Sequence, residues 1–215
     1  MRRLCAVLAA AVLVCGCSDS SVGPDEYEEP ETLRDTPENV ITLFQMAYVD
    51  MDCEAYLDCL ADDFTFHLAE VDLDGDTSLP EYWGRQTEET IHRRMFGDDQ
   101  VQNPALEVER ITLTLITGLY EHNEGADQHD PMDDRWTYRL NSDLRIWFPN
   151  NLQLRADADI EFVFRIDPDE TGPEGETLYE IIRWEDLSGE RGRSEESSWG
   201  SIKAMYRGEN IKQEG

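Results

Sequence analysis

The sequence predicts an α+β fold, with three N-terminal helices packed on a strongly curved antiparallel sheet. Two observations carry this. Up to Gly97, apolar residues recur mainly at helical spacing, interrupted by one alternating run. From Ala105 onward the chain reads as strand after strand, each alternating apolar and polar residues. A third observation predicts the curvature. Two of these runs are longer than an ordinary strand, so the sheet has to twist and bend.

The first helix starts in "DTPENVITLFQMAYVDMD". Asp35 or Thr36 can cap it, and Pro37 suits its first turn. Val40, Leu43, Phe44 and Ala47 share one face. "CEAYLDCLADDF" follows as a short second helix with Tyr56, Leu57 and Leu60 on its apolar side. "DFTFHLAE" alternates as a strand. It turns Phe64, Phe66 and Leu68 one way and Thr65 and His67 the other, so His67 is expected at the surface. "LPEYWGRQTEETIHRRMFG" reads as the third helix, stopped by Gly97.

The strands begin with "LEVERITLTLI". In "WTYRLNSDLRIWF", Trp136, Tyr138, Leu140, Leu144, Ile146 and Phe148 share the inner face. After "PNN", Leu152, Leu154, Ile160, Phe162 and Phe164 continue that face. Opposing Arg145 to Asp157 satisfies both parity and charge, whereas a slip of two residues sets Arg145 against Arg155. "LYEIIRWEDL" and "SWGSIKAMY" are read as two further strands.

Ahead of the domain stands "MRRLCAVLAAAVLVCGCSDSS". Arg2 and Arg3 precede an apolar run of signal-peptide length, too short to span a bilayer as an anchor. Val14-Cys15-Gly16-Cys17 resembles a bacterial lipobox. The resemblance implies cleavage after residue 16 and lipid on Cys17, hence a membrane partner through that lipid. Ser18 is not the aspartate that retains such proteins at the inner membrane, so the outer membrane is favoured. Residues 17–35 are acidic, Ser- and Pro-rich and short of apolar groups, which predicts a disordered tether. The domain spans residues 36–207 and a polar tail spans 208–215. The formal net charge of −30 argues against nucleic-acid binding. Cys53 and Cys59, six apart on a helical stretch, can pair only across a helix break.

This order of elements resembles the nuclear transport factor 2-like superfamily, which includes the polyketide-cyclase-like proteins. The likeness lies in "TPENVITLFQMAYVDMDCEAYLDCLADDFTFHL" at the front and "LYEIIRWEDL" with "SWGSIKAMY" at the back. It implies a cone-shaped domain with its pocket between the helices and the sheet. It also implies a possible homodimer through the sheet. Family members include enzymes, ligand binders and scaffolds, so fold alone assigns no activity. Tyr48, Phe66, Trp136, Tyr138 and Trp184 are the pocket candidates, for a small apolar ligand. The inward strand positions are nearly all apolar, so no catalytic residue is named. The leading reading is a non-catalytic binding or interaction module in the cell envelope, taking an apolar ligand or a protein partner. The alternative is an isomerase, cyclase or hydratase working in the pocket.

A third reading is a calcium-stabilised domain. In "EVDLDGDTSLPE", Glu70, Asp72, Asp74, Asp76 and Glu81 approach the ligand spacing of a calcium loop. A strand precedes the loop where a calcium hand has a helix. Ser78 and Glu81 also form a capping box for the helix that follows. The stretch is therefore read first as a joint between strand and helix. His122 and His129 lie in an acidic hairpin loop whose spacing matches no ligand motif.

Overall fold

The computed structural model describes residues 33–75, 79–101, 103–123, 135–188 and 198–207, all within the unit that runs from Thr32 to Gly215. It is an α+β domain with a single six-stranded sheet in the order β2-β1-β6-β5-β4-β3. The strands are β1 (Leu60–His67), β2 (Tyr82–Gly84), β3 (Arg110–Asn123), β4 (Arg135–Trp147), β5 (Gln153–Thr171) and β6 (Thr177–Asp186).

The front of the chain folds much as its spacing predicts. Helix α1 (Pro37–Asp50) is capped by Thr36, whose hydroxyl accepts the amide hydrogen of Asn39 at 3.2 Å. Val40, Ile41, Phe44, Ala47 and Tyr48 form its buried face. Met51 ends it in a left-handed conformation with φ of 55°. Asp52 then caps α2 (Cys53–Asp58) by accepting from the Ala55 amide at 3.0 Å. Arg34, inside the expected tether, is already tied to the sheet. Its carbonyl accepts the Tyr179 amide at 2.7 Å and its guanidinium pairs with Asp167 and Glu170.

Four readings need correction. First, the sheet is mixed rather than antiparallel, because β6 returns beside β1 in parallel. Such a pair needs a long crossover, and β3 to β5 supply it. The sheet is also open rather than curled. Its edges are β2, three residues long, and β3, fourteen residues long, and they do not pair.

Second, the third expected helix does not start at the Ser78–Glu81 box. Glu70–Gly75 forms α3, and Tyr82–Gly84 adds to the sheet as β2. Only then does α4 (Arg85–Met95) begin, with no side-chain cap. The cause is tertiary. Trp83 stacks on Phe66 at 4.8 Å and Tyr82 on His67 at 5.4 Å, which pins these aromatics beside β1. Glu81 spends its carbonyl on the Leu68 amide. The end of α4 matches the sequence reading, with Gly97 just beyond it at φ of 91°.

Third, "SWGSIKAMY" is not a strand but helix α5 (Trp199–Arg207). Its buried residues Trp199, Ile202, Lys203 and Tyr206 lie at i, i+3, i+4 and i+7. A lysine on that stripe hides the helical period, because lysine reads as outward-facing. With α5 there are five helices among the described residues, three of them longer than six residues.

Fourth, Arg145 opposes Arg155, and Asp143 opposes Asp157. The inward alternation survives this register, except that Leu152 is exposed beside the turn Pro149–Asn151. Charge is satisfied on the diagonal instead. Asp143 bonds Arg145 along its own strand at 2.9 Å and Arg155 across at 3.0 Å, and Arg155 also reaches Asp157 at 3.0 Å. Long guanidinium side chains span diagonal neighbours easily, so opposed like charges are tolerated.

Candidate functional site

The space between helices and sheet is filled by rings. Phe44 of α1 is the hub. Its ring lies 5.1 Å from Tyr48, 5.3 Å from Tyr56, 5.0 Å from Phe162 and 5.4 Å from Trp184. Trp184 in turn meets Phe66 at 5.0 Å and Trp199 at 4.8 Å. Three pocket candidates, Tyr48, Phe66 and Trp184, are therefore fully buried parts of this packing. Tyr138 is buried at one side, where its hydroxyl donates to Glu38 at 2.6 Å. Trp136 is half-buried against Tyr179.

Inside this aromatic mass lies a polar cluster that the strand-based reading overlooks. Glu88 and His92 of α4 and Lys203 of α5 are each 0 % exposed. The Glu88 carboxylate collects three donors. Tyr56 Oη donates to Oε1 at 2.6 Å, Trp83 Nε1 donates to Oε2 at 2.5 Å, and Lys203 Nζ donates to Oε1. Burial pushes the Glu88 carboxyl up, but the Lys203 charge and these donors outweigh it and hold it below its ordinary range. Burial also draws the Lys203 ammonium down to about 8, against the pull of Glu88.

His92 is neutral, and its tautomer follows from its partners. Nδ1 lies 2.9 Å from the Glu88 carbonyl, which can only accept, so Nδ1 carries the hydrogen. Nε2 is then bare and accepts from Tyr48 Oη at 2.5 Å. Burial lowers the imidazole to about 4. Nδ1 is also 3.6 Å from Glu88 Oε1, but a neutral ring makes no ion pair there. Tyr56 stacks on this ring at 3.9 Å. The carboxylate is ionised and held by three donors, and the basic nitrogen of His92 is occupied by a phenol.

The sequence did hold a signal for this cluster. Glu88, Ile91, His92 and Met95 fall at i, i+3, i+4 and i+7, which is the buried face of α4. Two polar residues on an otherwise apolar helical stripe mark a buried network.

A second group of acids sits at the start of α5. Asp186 accepts from the Gly200 amide at 2.8 Å and from Ser188, and Asp72 accepts from Ser198. Ser198 caps the helix by accepting from the Ser201 amide at 2.9 Å. Burial raises both the Asp186 and the Asp72 carboxyls. The second Asp72 oxygen is buried without a hydrogen-bond partner among the described residues.

Of the expected calcium residues, Glu70, Asp72 and Asp74 lie on helix α3. Glu70 and Glu81 are exposed, and Asp76 and Ser78 lie outside the described residues. Among the described residues, no group of three or more His, Cys, Asp or Glu side chains is arranged to hold a metal. His67 is half-buried, 3.2 Å from Thr65 and stacked on Tyr82. Cys53 and Cys59 are separate buried thiols, each pushed up to about 12 by burial. Cys17 and His129 lie outside the described residues, and His122 is in β3. No helix among the described residues is long and apolar enough to cross a membrane.

No family model matches the chain, and no curated protein matches it. Several solved structures do. A conserved protein from Planctomyces limnophilus is 10 % identical with a TM-score of 0.48, covering 69 % of this chain and 90 % of its own. An NTF2-like protein of unknown function in nutrient uptake from Rhodospirillum rubrum is 13 % identical with a TM-score of 0.41, covering 68 % and 92 %. An NTF2-like protein of unknown function from Pseudomonas putida is 9 % identical with a TM-score of 0.39, covering 69 % and 80 %. In fold, the chain is similar to NTF2-like proteins whose function is unknown.

Proposed function

We propose that this is a lipid-anchored protein of the bacterial cell envelope, carrying a cone-type domain that acts as a non-catalytic binding or interaction module. The observation that carries the non-catalytic part is the interior. Phe44 and its neighbouring rings fill the space where a pocket is expected, and the buried Glu88–His92 pair there is bonded to its own neighbours. A general base needs a free lone pair within reach of a substrate proton. The basic nitrogen of His92 is taken by Tyr48, and Glu88 is 0 % exposed and held by three donors. The edge strand β3 supports self-association as one mode of interaction, because it leaves Ile116 and Leu119 59 % and 62 % exposed.

Two measurements test this reading. Cells fed labelled palmitate are expected to label the wild-type chain and not Cys17→Ser. Equal labelling of both would overturn the anchor. The native protein is expected to leave an apolar fluorescent dye dark until it unfolds. Stoichiometric dye binding to the folded state would overturn the filled interior on which the non-catalytic part rests.

A further inference from the structure

Away from the aromatic interior, a cleft of about 150 Å³ opens where the chain ahead of α1, the turn from α2 into β1, the start of α4, and strands β5 and β6 meet. Apart from Leu57 and Leu60, its wall is made of charged side chains. Two of its three arginines already hold two acids each. Arg34 pairs with Asp167 at 3.3 Å and Glu170 at 2.6 Å, and Arg165 pairs with Glu180 and Asp63, both at 2.7 Å.

The third arginine is different. Arg85, the first residue of α4, has no acid within ion-pair distance among the described residues. It donates once, from Nη2 to the Leu57 carbonyl at 3.2 Å. Its Nε is buried without a hydrogen-bond partner among the described residues, so the guanidinium can present only its terminal N–H groups to the cleft. Asp58, Asp62 and Asp169 line the same cleft and are exposed. Among the described residues their carboxylates make no hydrogen bond or ion pair. Opposite charges thus border one cavity without closing on each other, and the gap has room for about five waters or one small molecule.

The charges specify that molecule. A lone anion would answer Arg85 but meet bare carboxylates. A lone cation would answer the carboxylates and leave the guanidinium bare. A molecule with one carboxylate and one ammonium answers both signs, and terminal guanidinium nitrogens match a carboxylate as a fork. We infer that this cleft binds a small zwitterion of the α-amino acid class, its carboxylate forked by Arg85 and its ammonium held among Asp58, Asp62 and Asp169. No element has to move to admit it, since the acids at its rim are already exposed. The inference gives the proposed binding module a ligand class and rests on that reading.

Calorimetric titration of the full chain with glycine tests it. Glycine is expected to bind saturably at one site, with acetate and methylammonium, which each carry half of its charges, at least about tenfold weaker. Arg85→Lys keeps the charge but loses the fork, and is expected to weaken glycine at least about fivefold. The triple variant Asp58→Asn, Asp62→Asn and Asp169→Asn alters exposed side chains only. It is expected to weaken glycine at least about tenfold while binding acetate more tightly than the wild type, which a merely structural effect would not produce. If Arg85→Lys folds poorly, the triple variant and the three probes on the wild type still decide. No saturable heat with glycine, acetate or methylammonium matching glycine, or unchanged glycine affinity in the triple variant would each overturn the inference. Absence of binding would sink the site alone. Saturable binding with glycine chemically altered on recovery would support the site and sink the non-catalytic reading instead.

Discussion

Glu88–Lys203 inside the domain and Asp143–Arg155 on the outer sheet face are the same chemical pairing in opposite surroundings. The inner pair is 0 % exposed, whereas the Asp143 and Arg155 side chains are 30 % and 39 % exposed. The outer group tolerates Arg145 directly opposite Arg155, because water and Asp143 absorb the repulsion. The inner pair could not tolerate such a mismatch. Buried polar groups there depend on partners from the protein, and Tyr56 and Trp83 donate to Glu88 while Tyr48 donates to His92. Charge outside is adjustable, and charge inside is structural.

The largest expected effect comes from breaking the inner pair on one side only. Glu88→Ala leaves an ammonium buried against aromatic rings and is expected to lower stability by about 3–5 kcal/mol, read from the urea midpoint. Replacing both partners, as Glu88→Leu with Lys203→Met, is expected to recover most of that loss, because no uncompensated charge remains. A single variant as stable as the wild type would show that water reaches the pair, and the contrast with the outer face would collapse.

Acid tests the same region through His92. Its folded value of about 4 lies below the ordinary 6.5. Above 6.5 both folded and unfolded chains hold it neutral. As pH falls from there toward 4, the unfolded chain takes up a proton that the folded chain refuses. Stability is therefore present above the unfolded value and lost on acidification, by up to about 3 kcal/mol. The raised carboxyls Asp72, Glu161, Glu180 and Asp186 act with the opposite sign. The readout is thus the wild-type pH slope minus that of His92→Phe between about pH 7 and about pH 5. Equal slopes would mean that the imidazole is not held neutral.

The same contrast explains what could be read from the sequence. The outer face and the long strands were legible, because alternation in β4 and β5 records directly which side chains face the core. The strand register was not, because charge satisfaction on the diagonal is invisible to a rule that pairs residues directly opposite. The buried cluster was obscured by residue type. Lys203 on the inner stripe of α5 hides a helical period, and Glu88 and His92 are polar types on the buried face of α4. Burial of such groups is decided by partners from α2, β2 and α1, far along the chain, and local period carries no trace of them. The β2 strand escapes the sequence reading for a related reason, since pairing with β1 and the rings of Phe66 and His67 hold Trp83 and Tyr82 extended.

The smallest expected effect sharpens the outer half of the comparison. Asp143 is held down at about 2 by hydrogen bonds from Arg145 and Arg155. Asp143→Ala removes the carboxylate between them and leaves two guanidinium groups facing each other across the strands. The exposure of this site limits the loss to about 1 kcal/mol. Because what remains is repulsion in contact with solvent, added salt is expected to shrink that loss. The cost of Glu88→Ala is expected to stay constant over the same salt range, since no counterion enters the aromatic interior. Denaturation of both variants across a salt series therefore separates the two kinds of charge. If the Asp143→Ala penalty were large and salt-independent, the outer cluster would be as structural as the inner one, and the opposed arginines would need a different explanation.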